Sequence, residues 1–287
     1  DLFEQKYTEN DKNFIELLEN YTNYRGDEAL QELVLKIYKF IQSSPFPLKW
    51  LQEKLELLKI EDKDISQTIW GKLIIQAVED DIQESIMQLE TVKSKMALYP
   101  EMTKFYQKIC EDLIILKDLQ NYNSWDELYI KLLNFNFSKW PVDKKVTNDL
   151  KEDSKEIRDK VKKHIKEKTA KLLSCSQEQA VKDLKIITPI LENLSNLVTE
   201  FTKNFAEKKK EKNCIDFNDI EHFALKILLD ENNNPTEVAK KYKEKFEEIA
   251  IDEYQDSNLV QEAILTSISK GNNIFMVGDV KQSIYKF

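Results

Sequence analysis

The chain has 287 residues, with 43 Lys+Arg against 52 Asp+Glu and a net charge of −9. That length allows about two domains with an ample core, and the negative balance argues against a protein whose whole surface binds nucleic acid. Four glycines and six prolines fall well below ordinary shares of roughly 7% and 5%, which leaves few chain breaks and favours long helices.

Near the start, Leu30, Leu33, Val34, Ile37, Tyr38 and Ile41 recur at i, i+3, i+4 and i+7 spacing, the apolar stripe of a surface helix with one core face. Pro47 suits the first turn of a following helix carrying Trp50, Leu51, Leu55 and Leu58. From about Ile65 to Leu98 helical periodicity persists, Pro100 resets it, and a partner helix carries Phe105, Ile109, Leu113 and Leu116. The pair is predicted to form an antiparallel hairpin. Ser124 with Glu127 three residues later is a capping-box signature for the next helix. The aromatic loop NFNFSKWPV, Asn134 to Val142, has two readings: Phe135, Phe137 and Trp140 plug the core under a turn, or they stack on bases.

A long charged helix is predicted from about Val146 to Leu173. Ser176 with Gln179 then opens another toward Lys212, bent at Pro189. Two long hairpins would make an arm. Between Asp143 and Lys212 basic residues outnumber acidic ones, against the trend of the chain. This reads as a solvated face with i,i+4 pairs such as Glu156/Lys160, Asp159/Lys163 and Glu167/Lys171. It reads alternatively as a duplex-contacting arm in which Lys162, Lys163 and Lys166 meet DNA. Periodicity fades at EKKKEKN, Glu207 to Asn213, placing a boundary between residues 1–212 and 213–287.

Past that boundary DFNDIEHFALKILL opens a helix, Asn232 to Pro235 is a surface turn, and two short apolar runs follow. Strands are predicted at about Ile249–Tyr254 and Asn273–Val277, joined by a helix from about Ser257 to Ser269. This strand–helix–strand unit is a parallel crossover, and function in open α/β sheets collects at the carboxyl ends of the strands. One strand ends in Asp252, Glu253, Gln255 and Asp256; the other ends in Gly278, Asp279, Lys281, Gln282, Ser283 and Tyr285. A strand-end Asp-Glu pair suits Mg-nucleotide hydrolysis, one carboxylate for the cation and its neighbour for the attacking water. Taken alone, the pair is also compatible with a plain acidic turn.

IDEYQD followed about twenty residues later by VGDVKQSIYKF closely resembles motifs II and III of the UvrD/Rep/PcrA group of superfamily 1 DNA helicases. Within that group VGDVKQSIYKF is most similar to the AddA family, the helicase-nuclease subunits of bacterial AddAB (RexAB) recombination complexes. DFNDIEHFA, Asp216 to Ala224, is similar to the DFxDL segment before motif II, and Arg25 to Leu51 resembles the family's helical insertion.

The resemblance implies a mainly α chain: a long-helix hairpin insertion, residues 1–212, followed by a partial α/β RecA-like (P-loop NTPase) motor domain, residues 213–287. It implies an ATP-dependent DNA helicase with exonuclease activity that processes double-strand DNA ends for recombinational repair. Asp252 would hold Mg2+ through water and Glu253 would activate the hydrolytic water. Gln282 would touch the γ-phosphate of ATP, and Tyr285 and Phe287 would face single-stranded DNA. The partners implied are single- and double-stranded DNA and an AddB/RexB-like subunit in a heterodimer.

The chain begins at Asp1 and stops at Phe287, inside a motif that usually continues in the family, and no GxxxxGK[ST] occurs in it. It is therefore expected to be a fragment that does not turn over ATP alone. The alternative is a helical interaction module with a degenerate P-loop ATPase remnant.

No signal peptide and no apolar run of roughly 20 residues is present, so a cytoplasmic protein without membrane contact is expected. Cys110, Cys175 and Cys214 lie far apart and are expected to be reduced, without a metal site. His164 and His222 fall in predicted helices and read as structural. Arg25 and Arg158 are the only arginines, so guanidinium forks for phosphate are scarce.

Overall fold

The computed structural model describes residues 2–22, 26–60, 64–143, 146, 149–230, 232–279 and 281. These are mostly helical. In chain order they form α1 (Leu2–Glu9), α2 (Lys12–Tyr21), α3 (Glu28–Ile41), α4 (Pro47–Glu56), α5 (Ile69–Met96), α6 (Thr103–Leu119) and α7 (Trp125–Asn134). Then come α8 (Leu150–His164), a π-helical turn at Ile165–Thr169, α9 (Ala170–Leu172), α10 (Gln177–Glu211), α11 (Phe217–Leu228) and α12 (Glu237–Lys245). The strand β1 (Ile249–Ile251), the helix α13 (Leu259–Ile268) and the strand β2 (Ile274–Met276) follow. Two compact units result: one is Lys59–Ile186, the other combines Asp1–Leu58 with Ile187–Phe287. α10, which crosses from one unit into the other, ends at Glu211.

In the Lys59–Ile186 unit, α5 and α6 form the antiparallel hairpin read from the sequence. Lys117 bonds Glu90 at 2.8 Å, Gln120 bonds Gln83 at 3.2 Å and Tyr122 reaches Glu79, so ascending positions on one helix meet descending positions on the other. Burial, and then the bond to Glu79, push the Tyr122 phenol well above its ordinary pKa. Thr68 caps α5 by accepting the Gly71 N–H at 3.0 Å. A Cβ at Gly71 would sit 2.0 Å from the Ile65 carbonyl, a close approach that only glycine permits. Ser124 Oγ accepts the Glu127 N–H at 3.2 Å and starts α7 where the capping signature placed it.

The aromatic loop plugs the core. Phe135 and Phe137 are buried and Trp140 packs against the same cluster, so stacking on bases is overturned for the two phenylalanines, whose rings are out of reach. Arg158 holds the loop from beneath. Its Nη2 donates to Ser138 O at 2.7 Å and to Asp112 Oδ1 at 3.1 Å, and its guanidinium carbon lies 5.0 Å from the Phe137 ring centroid.

One reading of the next segment is corrected. Described helix begins at Leu150 and is interrupted by the π turn. Val161, Ile165, Thr169 and Leu173 are all buried, a four-residue spacing wider than the 3.6-residue turn, and the wider π turn keeps all four on the core face. α8 packs on α5; in α10, Ala180 and Val181 pack against the same core as α8, while Leu194, Leu197 and Val198, beyond Pro189, enter the other core.

That other core joins Leu194, Leu197 and Val198 to Phe14 and Leu17 of α2 and to Leu30, Val34 and Ile41 of α3. The α3 stripe faces inward as its spacing requires. α11 starts at a reciprocal cap: Asp216 Oδ1 accepts the Asp219 N–H at 3.0 Å, and Asp219 Oδ2 accepts the Asp216 N–H at 2.9 Å. Lys209 Nζ closes the cluster on Asp216 at 2.9 Å and Asp219 at 2.6 Å. Asp230 accepts the N–H groups of Asn232 and Asn234, at 2.9 and 2.8 Å, in the turn read from NNNP.

β1 and β2 pair in parallel with Ile249 opposite Ile274 and Ile251 opposite Met276. α13 is the crossover, packed on α11 and α12. Asn258 caps it by accepting the Gln261 N–H at 2.8 Å, and Glu221 of α11 takes bonds from both Asn258 and Gln261, which fixes the crossover helix on its neighbour.

Candidate functional site

The carboxyl ends of β1 and β2 bring two polar loops together. After Ile251 the chain leaves the sheet at Asp252, and Glu253 adopts φ 52° and ψ 40°, the left-handed region that non-glycine residues seldom occupy. The Glu253 N–H donates to Asp252 Oδ1 at 2.9 Å, which fixes the turn locally. Both carboxylates are exposed. A short helical turn, Tyr254–Asp256, follows.

The second loop is stitched to the first. Val277 N–H donates to Ile251 O and Tyr254 N–H to Val277 O, each at 2.9 Å, extending the pairing past β2. Gln255 Nε2 donates to Glu253 Oε2, and Gln255 Oε1 accepts the Asp279 N–H at 2.9 Å. A Cβ on Gly278 would lie 2.5 Å from Gln255 Oε1. The glycine is a steric requirement of this contact. Asp279 Oδ1 accepts the Lys281 N–H at 2.9 Å.

Of the sequence candidates, Asp252 and Glu253 stand side by side at the β1 end. Gln282, Tyr285 and Phe287 lie outside the described residues. The lysines are in the other unit. Lys162 is half-buried and points its ammonium at Phe137 O at 3.4 Å, Lys163 lies 3.8 Å from Glu167, and Lys166 is exposed on the π turn. The Glu156/Lys160 pair is formed at 2.6 Å. His164 lies 3.3 Å from Asp81 and His222 meets Gln42 O at 3.1 Å, both fold contacts. Among the described residues no group of three or more His, Cys, Asp or Glu could hold a metal ion, and no helix is long and apolar enough to cross a membrane.

The family profile described as the UvrD/REP helicase N-terminal domain matches residues 120–287. The chain belongs to the UvrD/REP helicase family. Over its whole length it is also similar to proteins named as ATP-dependent helicase/nuclease subunits of the A type. It is 39% identical over 303 residues to that of Acetivibrio thermocellus, 38% over 310 to that of Ruminiclostridium cellulolyticum and 37% over 304 to that of Clostridioides difficile. Each alignment covers 100% of this chain and 24% of the relative. The chain thus spans about a quarter of the length of the curated relatives it matches.

Sequence reasoning named Gln255 and Gly278 at the two strand ends and gave neither a role. The signal was present: a carboxamide two residues after a strand-end carboxylate, and a glycine immediately after the parallel strand beside it.

Proposed function

We propose that this chain is part of an ATP-dependent DNA helicase/nuclease subunit that couples ATP hydrolysis to movement on single-stranded DNA, and that residues 213–287 supply hydrolytic groups to its RecA-like motor domain. The observation that carries this reading is the Asp252–Glu253 pair at the carboxyl end of a strand in a parallel crossover, hydrogen-bonded through Gln255 to the loop that follows β2.

Asp252 fits a cation held by one carboxylate, water and substrate phosphates, the ordinary situation of Mg2+ at nucleotide sites, where no all-protein cage is needed. Bound there, Mg2+ neutralises charge on the phosphates. Glu253, exposed beside Asp252, orients and deprotonates a water in this reading. Gln282 contacts the γ-phosphate, and Tyr285 and Phe287 stack on single-stranded DNA. Lys162, Lys163 and Lys166 are the candidate duplex contacts of the helical part, residues 1–212. The full-length protein pairs with an AddB/RexB-like partner and processes double-strand ends for recombinational repair in the cytoplasm. This chain, which holds no GxxxxGK[ST], turns over no ATP alone.

The test is Glu253→Gln in the full-length protein. Hydrolysis falls by about 10²- to 10⁴-fold while binding of a non-hydrolysable ATP analogue persists. Full turnover in that variant removes Glu253 as the base. Gln282→Ala and Tyr285→Ala separate the remaining roles. The first weakens the dependence of DNA affinity on nucleotide, and the second lowers single-strand affinity with ATP binding kept.

A further inference from the structure

We propose that Gln255 is a positioning residue that makes the orientation of Glu253 follow the position of the Gly278–Asp279 loop. The proposal rests on the reading of Glu253 as the base.

The Gln255 side chain hydrogen-bonds both sides of the site. Its Nε2 donates to Glu253 Oε2 and its Oε1 accepts the Asp279 N–H at 2.9 Å. Those bonds require a donor at one end and an acceptor at the other, which a carboxamide has. A carboxylate would only accept and would repel Glu253, and an alkyl group could do neither. The backbone brings the loops close enough for one side chain to span them, through the bonds from Tyr254 to Val277 and from Val277 to Ile251, each 2.9 Å. Gly278 leaves the room: its absent Cβ would be 2.5 Å from Gln255 Oε1.

The loop is constrained on its far side as well, because Asp279 accepts the Lys281 N–H at 2.9 Å. A shift of Lys281 is passed to Asp279, and from Asp279 to Gln255, through these two hydrogen bonds. Glu253 is exposed and left-handed two residues past β1, so its carboxylate is held by the Gln255 bond rather than by packing in the core. The rate of hydrolysis is thereby set by whatever positions the loop after β2. In a DNA-stimulated ATPase, the DNA does so.

The experiment uses the full-length protein with Gln255→Glu, Gln255→Leu and Gly278→Ala, measuring kcat and KM for ATP with and without a single-stranded oligonucleotide. We expect kcat with DNA to fall about 10- to 100-fold, the range for loss of a group that orients another, with KM for ATP within about threefold of wild type. The ratio of DNA-stimulated to basal rate drops toward one. Gly278→Ala moves the same way, because the new Cβ displaces the Gln255 carboxamide. Wild-type kcat in both Gln255 variants overturns the proposal, as does a loss expressed only in KM. An equal loss with and without DNA, leaving the ratio intact, also overturns it by showing a structural role alone. Glu253→Gln is run beside them: if it keeps turnover, the base assignment fails, whatever the Gln255 variants do.

Discussion

Arg158 and Asp112 form an ion pair inside the Lys59–Ile186 unit, with side chains 3% and 0% exposed and Arg158 Nη2 3.1 Å from Asp112 Oδ1. Burial lifts the Asp112 carboxyl above its usual range, and the guanidinium pulls the other way. Removing one partner leaves an uncompensated buried charge, so Asp112→Ala should cost about 3–5 kcal/mol. Replacing both by apolar residues of similar size, as in Asp112→Leu with Arg158→Met, should recover most of that loss. Urea unfolding of Asp112→Leu, Arg158→Met and the double variant measures the coupling. A double variant as unstable as the sum of the singles would show that the pair is not an energetic unit.

That pair also marks how far the sequence can be read. The α5/α6 hairpin, the α3 stripe, the α7 cap and the parallel crossover were legible because each rests on local periodicity or a cap of fixed spacing. Asp112 lies in the stripe of Ile109, Leu113 and Leu116, and Arg158 lies at helical spacing from Val161 and Ile165, so both were on core faces by register. Neither was read as part of the core from the sequence, because charged residues are seldom fully buried unless paired. The π turn was not legible because a helical stripe read at 3.6-residue spacing does not reveal it, and the division of α10 between two cores depends on tertiary packing that no local pattern encodes. At the site, Asp252 and Glu253 announced themselves by chemistry. Gln255 depends on a contact across 24 residues, which no local pattern encodes.

The Asp216 cap gives a pH dependence with a definite sign. Burial pushes its carboxyl up, but Lys209 and the N–H groups of Asp219 and Asn218 outweigh this and hold it below the ordinary range. A lowered folded-state pKa means stability that is present above the unfolded carboxylate pKa and lost as pH falls through the folded value. Asp216→Asn keeps a capping side chain and removes the charge. Its stability deficit should be constant above about pH 5 and shrink below about pH 4. Thermal midpoints across that range check this, and a deficit that persists unchanged at low pH would assign the effect to the cap.

β1 and β2 pair only with each other among the described residues, and Phe275, Met276 and Val277 are exposed beside them. Open strand edges with apolar side chains template further pairing. The chain should therefore self-associate with rising concentration in sedimentation experiments, and Phe275→Lys should reduce it. A strictly monomeric chain at high concentration counts against the exposed sheet as a sticky surface.

Glu253 should be kept for its chemistry at the expense of stability. At φ 52° a residue with a Cβ is strained by roughly 1–2 kcal/mol, a cost glycine does not carry. Glycine also gains freedom in the unfolded chain, which offsets about 0.4–1 kcal/mol. The Gln255 bond lost with the carboxylate is solvent-exposed and weak in water. The balance predicts that Glu253→Gly leaves the chain as stable as wild type or more so, by up to about 1 kcal/mol, while the full-length protein loses ATP hydrolysis. Urea unfolding of the chain and steady-state ATPase of the full-length protein read the two halves separately. Destabilisation by Glu253→Gly would mean that the carboxylate holds the turn together, and the left-handed conformation would then be a structural choice independent of catalysis.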